Sequence, residues 1–253
     1  MDRVLITGGT GFVGYWMLLQ KPNMTYVCSL NQAAYESMQW TTEHWDYIVH
    51  LAPVSPEKVI EYAKIWNTRV LFASSGAARR LPVPPTQYGR DKRMWEDELA
   101  KSEIGYTIAR LFTFCGWGLR GLHYAINDFI DQALRGRPIH IKGDGKTVRS
   151  YMYGWDVGHW MWRILRWGEQ SRIYEVGSEH AVTMQELAAQ VQESFAHKLG
   201  IIIENRKLDE PEKIYVPELV YLTKEKLGLE ESFTFPEVID RAVRDYVNEH
   251  MEE

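Results

Sequence analysis

Two residues capable of moving a proton stand four apart in the run PPTQYGRDKRMWEDELA, residues 84–100: the phenol of Tyr88 and the ammonium of Lys92. Four residues is a little over one helical turn, so on a helix both side chains leave the same face. A free phenol titrates near about pH 10, which makes an unassisted Tyr a poor base at neutral pH. A neighbouring ammonium favours the phenolate, and bringing the phenol toward neutrality takes about 4 kcal/mol of such help. The spacing alone is equally that of a solvated helix face, so the surroundings of the pair decide what chemistry is open to it.

A second stretch supplies a context. TGGTGFVG, residues 7–14, places Gly8, Gly11 and Gly14 at G-x-x-G-x-x-G spacing, after the apolar run RVLIT and before the helix-like YWMLLQ. Glycines let the backbone turn tightly and let a pyrophosphate approach a helix N-terminus, whose N–H groups and dipole favour anions. The arrangement predicts a dinucleotide site built from Gly8, Gly11, Phe12, Val13 and Gly14. Such a site expects an acid about 20 positions on to hold the adenosine ribose. There the chain has Ser29, Leu30 and Asn31, with no acid before Glu36 and no arginine for a 2′-phosphate. Asn31 is the polar group at hand, and the stretch does not separate NAD from NADP.

These residues need a scaffold, and the apolar runs outline one. RVLIT, TYVCSL (25–30), WDYIVHLAP (45–53), RVLFASSG (69–76) and GYTIARLFTF (105–114) read as buried strands. Helical runs alternate with them, among them PEKVIEYAKIW (56–66), with Ser55 as N-cap and Pro56 in its first turn. The fold class is α/β, a doubly wound parallel sheet with helices on both faces. Beyond Cys115 the texture changes: an amphipathic helix over 122–135, a Gly-Asp-Gly turn, and a capping box from Thr183 to Glu186. A terminal helix follows from about Pro236 to His250. We expect a dinucleotide-binding core over 1–115, to which elements within 146–180 return, and a smaller α/β lobe over 116–253.

Composition narrows the partners. With 253 residues, 25% charged and a net charge of −5, nothing favours nucleic acid or an anionic membrane. Cys28 and Cys115 sit in apolar runs, with no disulfide framework. No signal peptide and no apolar span of about 20 residues is read, so a cytoplasmic protein is expected. The eight histidines show no metal-ligand spacing, and no metal is expected. Trp155, Trp160, Trp162 and Trp167 do not share one helix face, so some must be exposed or lie at a junction.

TGGTGFVG, HLA (50–52), FASS (72–75), YGRDK (88–92), RLF (110–112) and GDGKTVRSYMYGWD (143–156) occur in the order seen in extended short-chain dehydrogenases/reductases. The chain resembles the nucleotide-sugar epimerase/dehydratase branch of that family, over nearly its whole length. The resemblance implies a Rossmann-type core, a small C-terminal substrate lobe with the substrate held in a cleft between the two, and NAD as cofactor. It implies Tyr88, Lys92 and Ser75 as the catalytic set, with Ser74 as Ser75's neighbour and Lys92 also on the nicotinamide ribose. Leu51 and Ala52 join the cofactor residues. Arg149 would hold the substrate's diphosphate, and Asn127 and His123 would face the nucleotide-sugar, although a polar helix face accounts for the last two equally well. A homodimer is the family's habit.

The chain also departs from its relatives. Dehydratases carry Asp-Glu after the Ser/Thr position, where Gly76 and Ala77 stand here, so 4,6-dehydration by the usual route is disfavoured. Thr113 replaces an Asn near the diphosphate. Arg79, Arg80 and Lys213 read as surface charges before phosphate contacts. Only about 15 residues separate the second strand from WDYIVHLA, where relatives fit a further strand and helix. The function expected is a nucleotide-sugar epimerase working by transient oxidation at C4. An NADPH-dependent 4-ketosugar reductase and a non-catalytic dinucleotide-binding protein are the alternatives.

Overall fold

The computed structural model describes residues 2–23, 25–30, 44–79, 84, 86–121, 124–196, 198–205 and 213–251. Its elements are β1 (Asp2–Thr7), α1 (Phe12–Leu19), β2 (Thr25–Leu30), β3 (Tyr47–His50), α2 (Glu57–Trp66), β4 (Arg69–Ser75), α3 (Gln87–Lys101) and β5 (Tyr106–Leu111). They continue as β6 (Phe114–Cys115), α4 (Ala125–Leu134), β7 (Ile139–Ile141), β8 (Val148–Ser150), β9 (Met152–Tyr153) and α5 (Gly154–Trp167). The remaining elements are β10 (Arg172–Val176), β11 (Ala181–Thr183), α6 (Met184–Glu193), β12 (Ile201–Ile203), β13 (Ile214–Tyr215), α7 (Val220–Leu227) and α8 (Phe235–Met251).

The chain divides into two compact units. The first holds 1–111, 155–176 and 218–230; the second holds 112–154, 177–217 and 231–253. In the first, six strands form a wholly parallel sheet in the order β10-β5-β4-β3-β1-β2. Val4 to Thr7 are all buried, as a parallel strand covered on both faces requires. The order reverses between β1 and β3, and the carboxyl ends of such strands are where open α/β sheets hold ligands. Gly8 follows one of these strands and Leu51 the other.

One face of the sheet packs Leu5, Ile48, Val70, Phe72 and Ile108 against Val59 and Ala63 of α2 and Leu99 of α3. Each of these side chains other than Ala63 contributes about 1.5–3 kcal/mol when fully buried, and together they press α3 onto β4 and β5. The N-cap position of α2 falls on Pro56, one residue later than the expected Ser55, whose hydroxyl accepts the Glu57 N–H at 3.3 Å. α1 and α5 meet closely: a Cβ at Gly158 would lie 2.7 Å from the Trp16 carbonyl oxygen. Trp162 donates to the Met17 carbonyl at 2.8 Å. Trp160 and Trp162 are buried and Trp155 and Trp167 exposed, as four indoles on different sides of one helix must be. Where α7 begins without a side-chain cap of its own, the buried Glu175 carboxylate accepts the Glu218 and Leu219 N–H groups at 2.8 and 2.7 Å.

The second unit carries three small sheets, β11-β8-β13, β7-β12 and β6-β9, with α4, α6 and α8. Thr183 and Glu186 form the expected capping box on α6. α4 begins only after Tyr124, later than the apolar periodicity suggests. No helix among the described residues is long and apolar enough to cross a membrane.

Candidate active site

The glycine loop is built for close approach. Gly8 has φ +75°, and a Cβ there would lie 2.7 Å from the Ala52 nitrogen, so only glycine fits. The Leu51 N–H donates to the Thr7 carbonyl at 3.0 Å, which brings Leu51 and Ala52 against the start of the loop. The loop closes through Gly11 N–H to the Gly8 carbonyl at 3.1 Å. Gly11 is the N-cap of α1 and offers no side chain to its first turn, the arrangement in which backbone N–H groups receive an anion. Gly14 allows α1 to pack on the loop, since a Cβ there would lie 2.4 Å from Gly9 Cα. Phe12 is half-buried and Val13 buried. This cradle fits a dinucleotide pyrophosphate. Asn31 lies outside the described residues.

Tyr88 and Lys92 share one face of α3 but differ in exposure. Thr86 caps the helix, its hydroxyl accepting the Gly89 N–H at 3.0 Å, so Tyr88 falls in the first turn and is 53% exposed. Lys92, one turn deeper, is only 4% exposed. Its Nζ donates to the Ala73 carbonyl at 3.0 Å and lies 5.1 Å from the ring centres of Phe72 and Trp95 and 6.0 Å from that of Tyr88. Burial pulls its pKa down from 10.5 to about 8, against the attraction of Glu96.

The two serines have different partners. Ser74 Oγ donates to Glu96 at 2.6 Å. Ser75 ends β4 and accepts the Ala77 N–H at 3.2 Å, opening a short 3₁₀ turn over Gly76–Ala78. That turn sits under the first turn of α3, where a Cβ at Gly89 would come 2.4 Å from the Ala77 carbonyl oxygen. The glycine between Tyr88 and Lys92 is thus a packing requirement. Arg79 pairs with Glu218 at 3.2 Å, and Arg80 lies outside the described residues.

Two buried groups were not singled out from sequence. His50 is fully buried: Nδ1 meets Thr7 Oγ1 at 2.6 Å and Nε2 the Val54 carbonyl at 3.1 Å. A carbonyl can only accept, so Nε2 carries the proton and Nδ1 accepts from Thr7. Burial lowers its pKa to about 4, with Lys92 acting in the same sense. Its ring stacks on Phe72 at 5.7 Å, the ring that Lys92 also overlies. Glu96 takes both Nε and Nη2 of Arg110, at 2.9 and 2.7 Å, besides Ser74. The signal for Glu96 was its place four residues after Lys92; for His50 it was a polar residue inside an apolar strand.

In the second unit, Arg149 lies on β8. Its Nη1 donates to the Val148 and Lys213 carbonyls at 2.8 and 3.3 Å, and its guanidinium lies 5.7 Å from the centre of the Tyr215 ring. Lys213 itself is exposed and pairs with Asp144 at 3.6 Å. Asn127 is buried, and its Nδ2 donates to the Leu119 and Gly121 carbonyls at 2.6 and 3.4 Å. Its amide donors hold the loop before α4. Thr113 accepts the Met152 N–H through its backbone carbonyl at 3.1 Å. His123 lies outside the described residues.

A parallel sheet of this order, a glycine loop after its first strand and a Tyr-x-x-x-Lys helix define a Rossmann-type dinucleotide fold of the short-chain dehydrogenase kind. The profile of the NAD dependent epimerase/dehydratase family matches residues 17–177, well over half of the chain, and the chain belongs to that family. The match starts inside α1, beyond the glycine loop. The fold is similar to that of UDP-glucose 4-epimerase from Thermotoga maritima, solved with UDP-glucose, at 20% identity and TM-score 0.81 over 98% of this chain and 99% of that one. It is similar also to UDP-glucuronic acid 4-epimerase from Bacillus cereus, solved with NAD, at 16% identity and TM-score 0.81 over 98% and 99%.

By sequence, the chain is 31% identical to UDP-glucuronic acid decarboxylase 2 of Arabidopsis thaliana over 48% of this chain and 26% of that protein. The stretch shared with that relative is therefore about a quarter of the relative's length. UDP-glucuronic acid decarboxylase 6 of the same plant is 24% identical over 83% of this chain and 79% of that protein.

Proposed function

We propose that the protein is a nucleotide-sugar epimerase that acts by transient oxidation at C4 of the sugar. The observation that carries this reading is an exposed phenol and a buried ammonium on one turn of α3, beside the strand that ends in Ser75. Gly8, Gly11, Phe12, Val13, Gly14, Leu51 and Ala52 hold the dinucleotide, and Lys92 its nicotinamide ribose. Bound NAD supplies the acceptor and then the donor of the C4 hydride. Tyr88, as phenolate, takes the proton of the 4-hydroxyl and returns it after the keto-sugar has turned over in the site. Ser75 hydrogen-bonds the same oxygen and keeps it near the phenol. Arg149 is assigned to the diphosphate, which suits a guanidinium fork. Gly76 and Ala77 bring no acid or base after Ser75, so 4,6-dehydration by the usual route is disfavoured.

A second reading, decarboxylation of a nucleotide-linked uronic acid, is favoured by the names of the curated relatives. It shares the C4 oxidation and differs in what the keto-sugar does next. Proton NMR of UDP-glucose and UDP-glucuronic acid incubated with NAD and the protein separates the two. C4 inversion is expected, slowed about 100-fold or more in Tyr88→Phe. A pentose product with release of CO2 would assign the decarboxylase. Equal turnover by wild type and Tyr88→Phe would refute the catalytic reading.

A further inference from the structure

Glu96 sits one helical turn beyond Lys92 on α3 and is 3% exposed. Its Oε1 accepts Ser74 Oγ at 2.6 Å and Arg110 Nε at 2.9 Å, and its Oε2 accepts Arg110 Nη2 at 2.7 Å. Lys92, on the same helix face, holds the carbonyl of Ala73. The helix thus grips β4 at two successive residues, 73 and 74, directly before Ser75. Arg110, the register partner of Ser74 on β5, closes the clasp from the next strand.

A buried ion pair is weak evidence for stability, because a well-packed apolar pair often does as well. An apolar pair could not orient the Ser74 hydroxyl, nor place a negative charge one turn from Lys92. We infer that Glu96 is a positioning residue of the active site: it locks the end of β4 that presents Ser75 to the helix face that presents Tyr88 and Lys92, and it sets a carboxylate one helical turn from the Lys92 ammonium. This rests on the reading of Tyr88, Lys92 and Ser75 as the catalytic set.

The charges around the clasp are consistent with that role. Burial pulls the Lys92 pKa down to about 8, and Glu96 is the group that opposes it. His50 on β3 faces Lys92 as a neutral ring, and Tyr88 faces it from α3. Glu96 is met by Arg110 from β5 and by Arg93 of its own helix at 4.0 Å. Arg110 is in turn held charged by Glu175 of β10 and Asp97 of α3, after Glu96 itself.

The test is the titration of Lys92 in full-length protein carrying ¹³Cε-lysine, followed by NMR in the wild type and in Glu96→Gln. We expect the Lys92 midpoint to fall by about one pH unit in the variant. The alkaline limb of kcat should move with it, and kcat itself should fall about 10-fold to 100-fold with little change in KM. Glu96→Asp keeps the charge but shortens the reach, so its midpoint stays near wild type while kcat drops. An unchanged Lys92 midpoint in Glu96→Gln overturns the inference. Should that variant fail to fold, Glu96→Gln with Arg110→Met removes the pair without orphaning a buried charge. Its midpoint is expected below the wild-type value, and an equal or higher one overturns the inference. The titration needs no substrate, so it separates failure of the clasp from failure of the catalytic reading, which would show as wild-type protein that turns over no nucleotide-sugar.

Discussion

Replacing Lys92 with Met should make the nucleotide-free protein more stable at pH 7 while abolishing its activity. Lys92 is 4% exposed, and its pKa falls from 10.5 in the open chain to about 8 in the fold. That drop puts about 3 kcal/mol of penalty on the charged form in the folded state. Between pH 8 and 10.5 the unfolded chain binds more protons at this position than the native one, so stability rises with pH. Below pH 8 the penalty is present in full; near pH 10.5 it is gone. Met carries no charge and has no such dependence, but it loses the bond to the Ala73 carbonyl, worth about 1 kcal/mol at every pH. The variant should therefore be about 2 kcal/mol more stable at pH 7 and about 1 kcal/mol less stable near pH 10.5. Urea unfolding of both proteins from pH 7 to 10.5 reads this directly, because the other titrating groups cancel in the difference. A difference that stays flat across this range would refute the reasoning. So would a variant that is already the less stable protein at pH 7.

Other expectations follow from the same geometry. Gly89→Ala places a methyl 2.4 Å from the Ala77 carbonyl oxygen, so it should destabilise by about 1–3 kcal/mol and lower kcat; thermal melts and turnover check it. Gly8→Ala meets both a positive φ and the Ala52 backbone, and isothermal titration should show NAD binding weakened by about tenfold or more. His50 stays neutral in the fold down to about pH 4 but is protonated from 6.5 downward in the open chain, so stability falls as pH falls through that window, by about 3 kcal/mol. In His50→Gln that part of the acid sensitivity should vanish from the urea midpoints, and its persistence would count against the buried neutral ring.

The strands were legible because a parallel sheet buried on both faces leaves unbroken apolar runs, and RVLIT, YIVH and RVLFASS are such runs. The glycine loop was legible because its φ and its contact with Ala52 exclude any side chain, which forces glycine to appear at fixed spacing. Periodicity could not say what Ser74 and Ser75 each touch. That depends on Glu96, 22 residues away, and on Arg110 across the β4–β5 pairing. His50 was read only as part of HLA, since its partner Thr7 lies 43 residues earlier and meets it through the sheet. Asn127 shows the same limit in the second unit. Helical spacing gave its face, but the loop carbonyls that take its amide are a tertiary feature.

The backbone passes between the two units at 111–112, 154–155, 176–177, 217–218 and 230–231. Neither unit is therefore a continuous stretch that could be made alone. During translation β5 emerges long before β10, and until Val176 has left the ribosome one flank of β5 lacks its strand neighbour. An unpaired strand edge of that kind invites association with other chains. A fragment ending near residue 111, although it contains the glycine loop and the Tyr88–Lys92 helix, is expected to aggregate when expressed by itself. The proposed catalytic residues lie early in the chain, but their sheet is completed only by residues made much later.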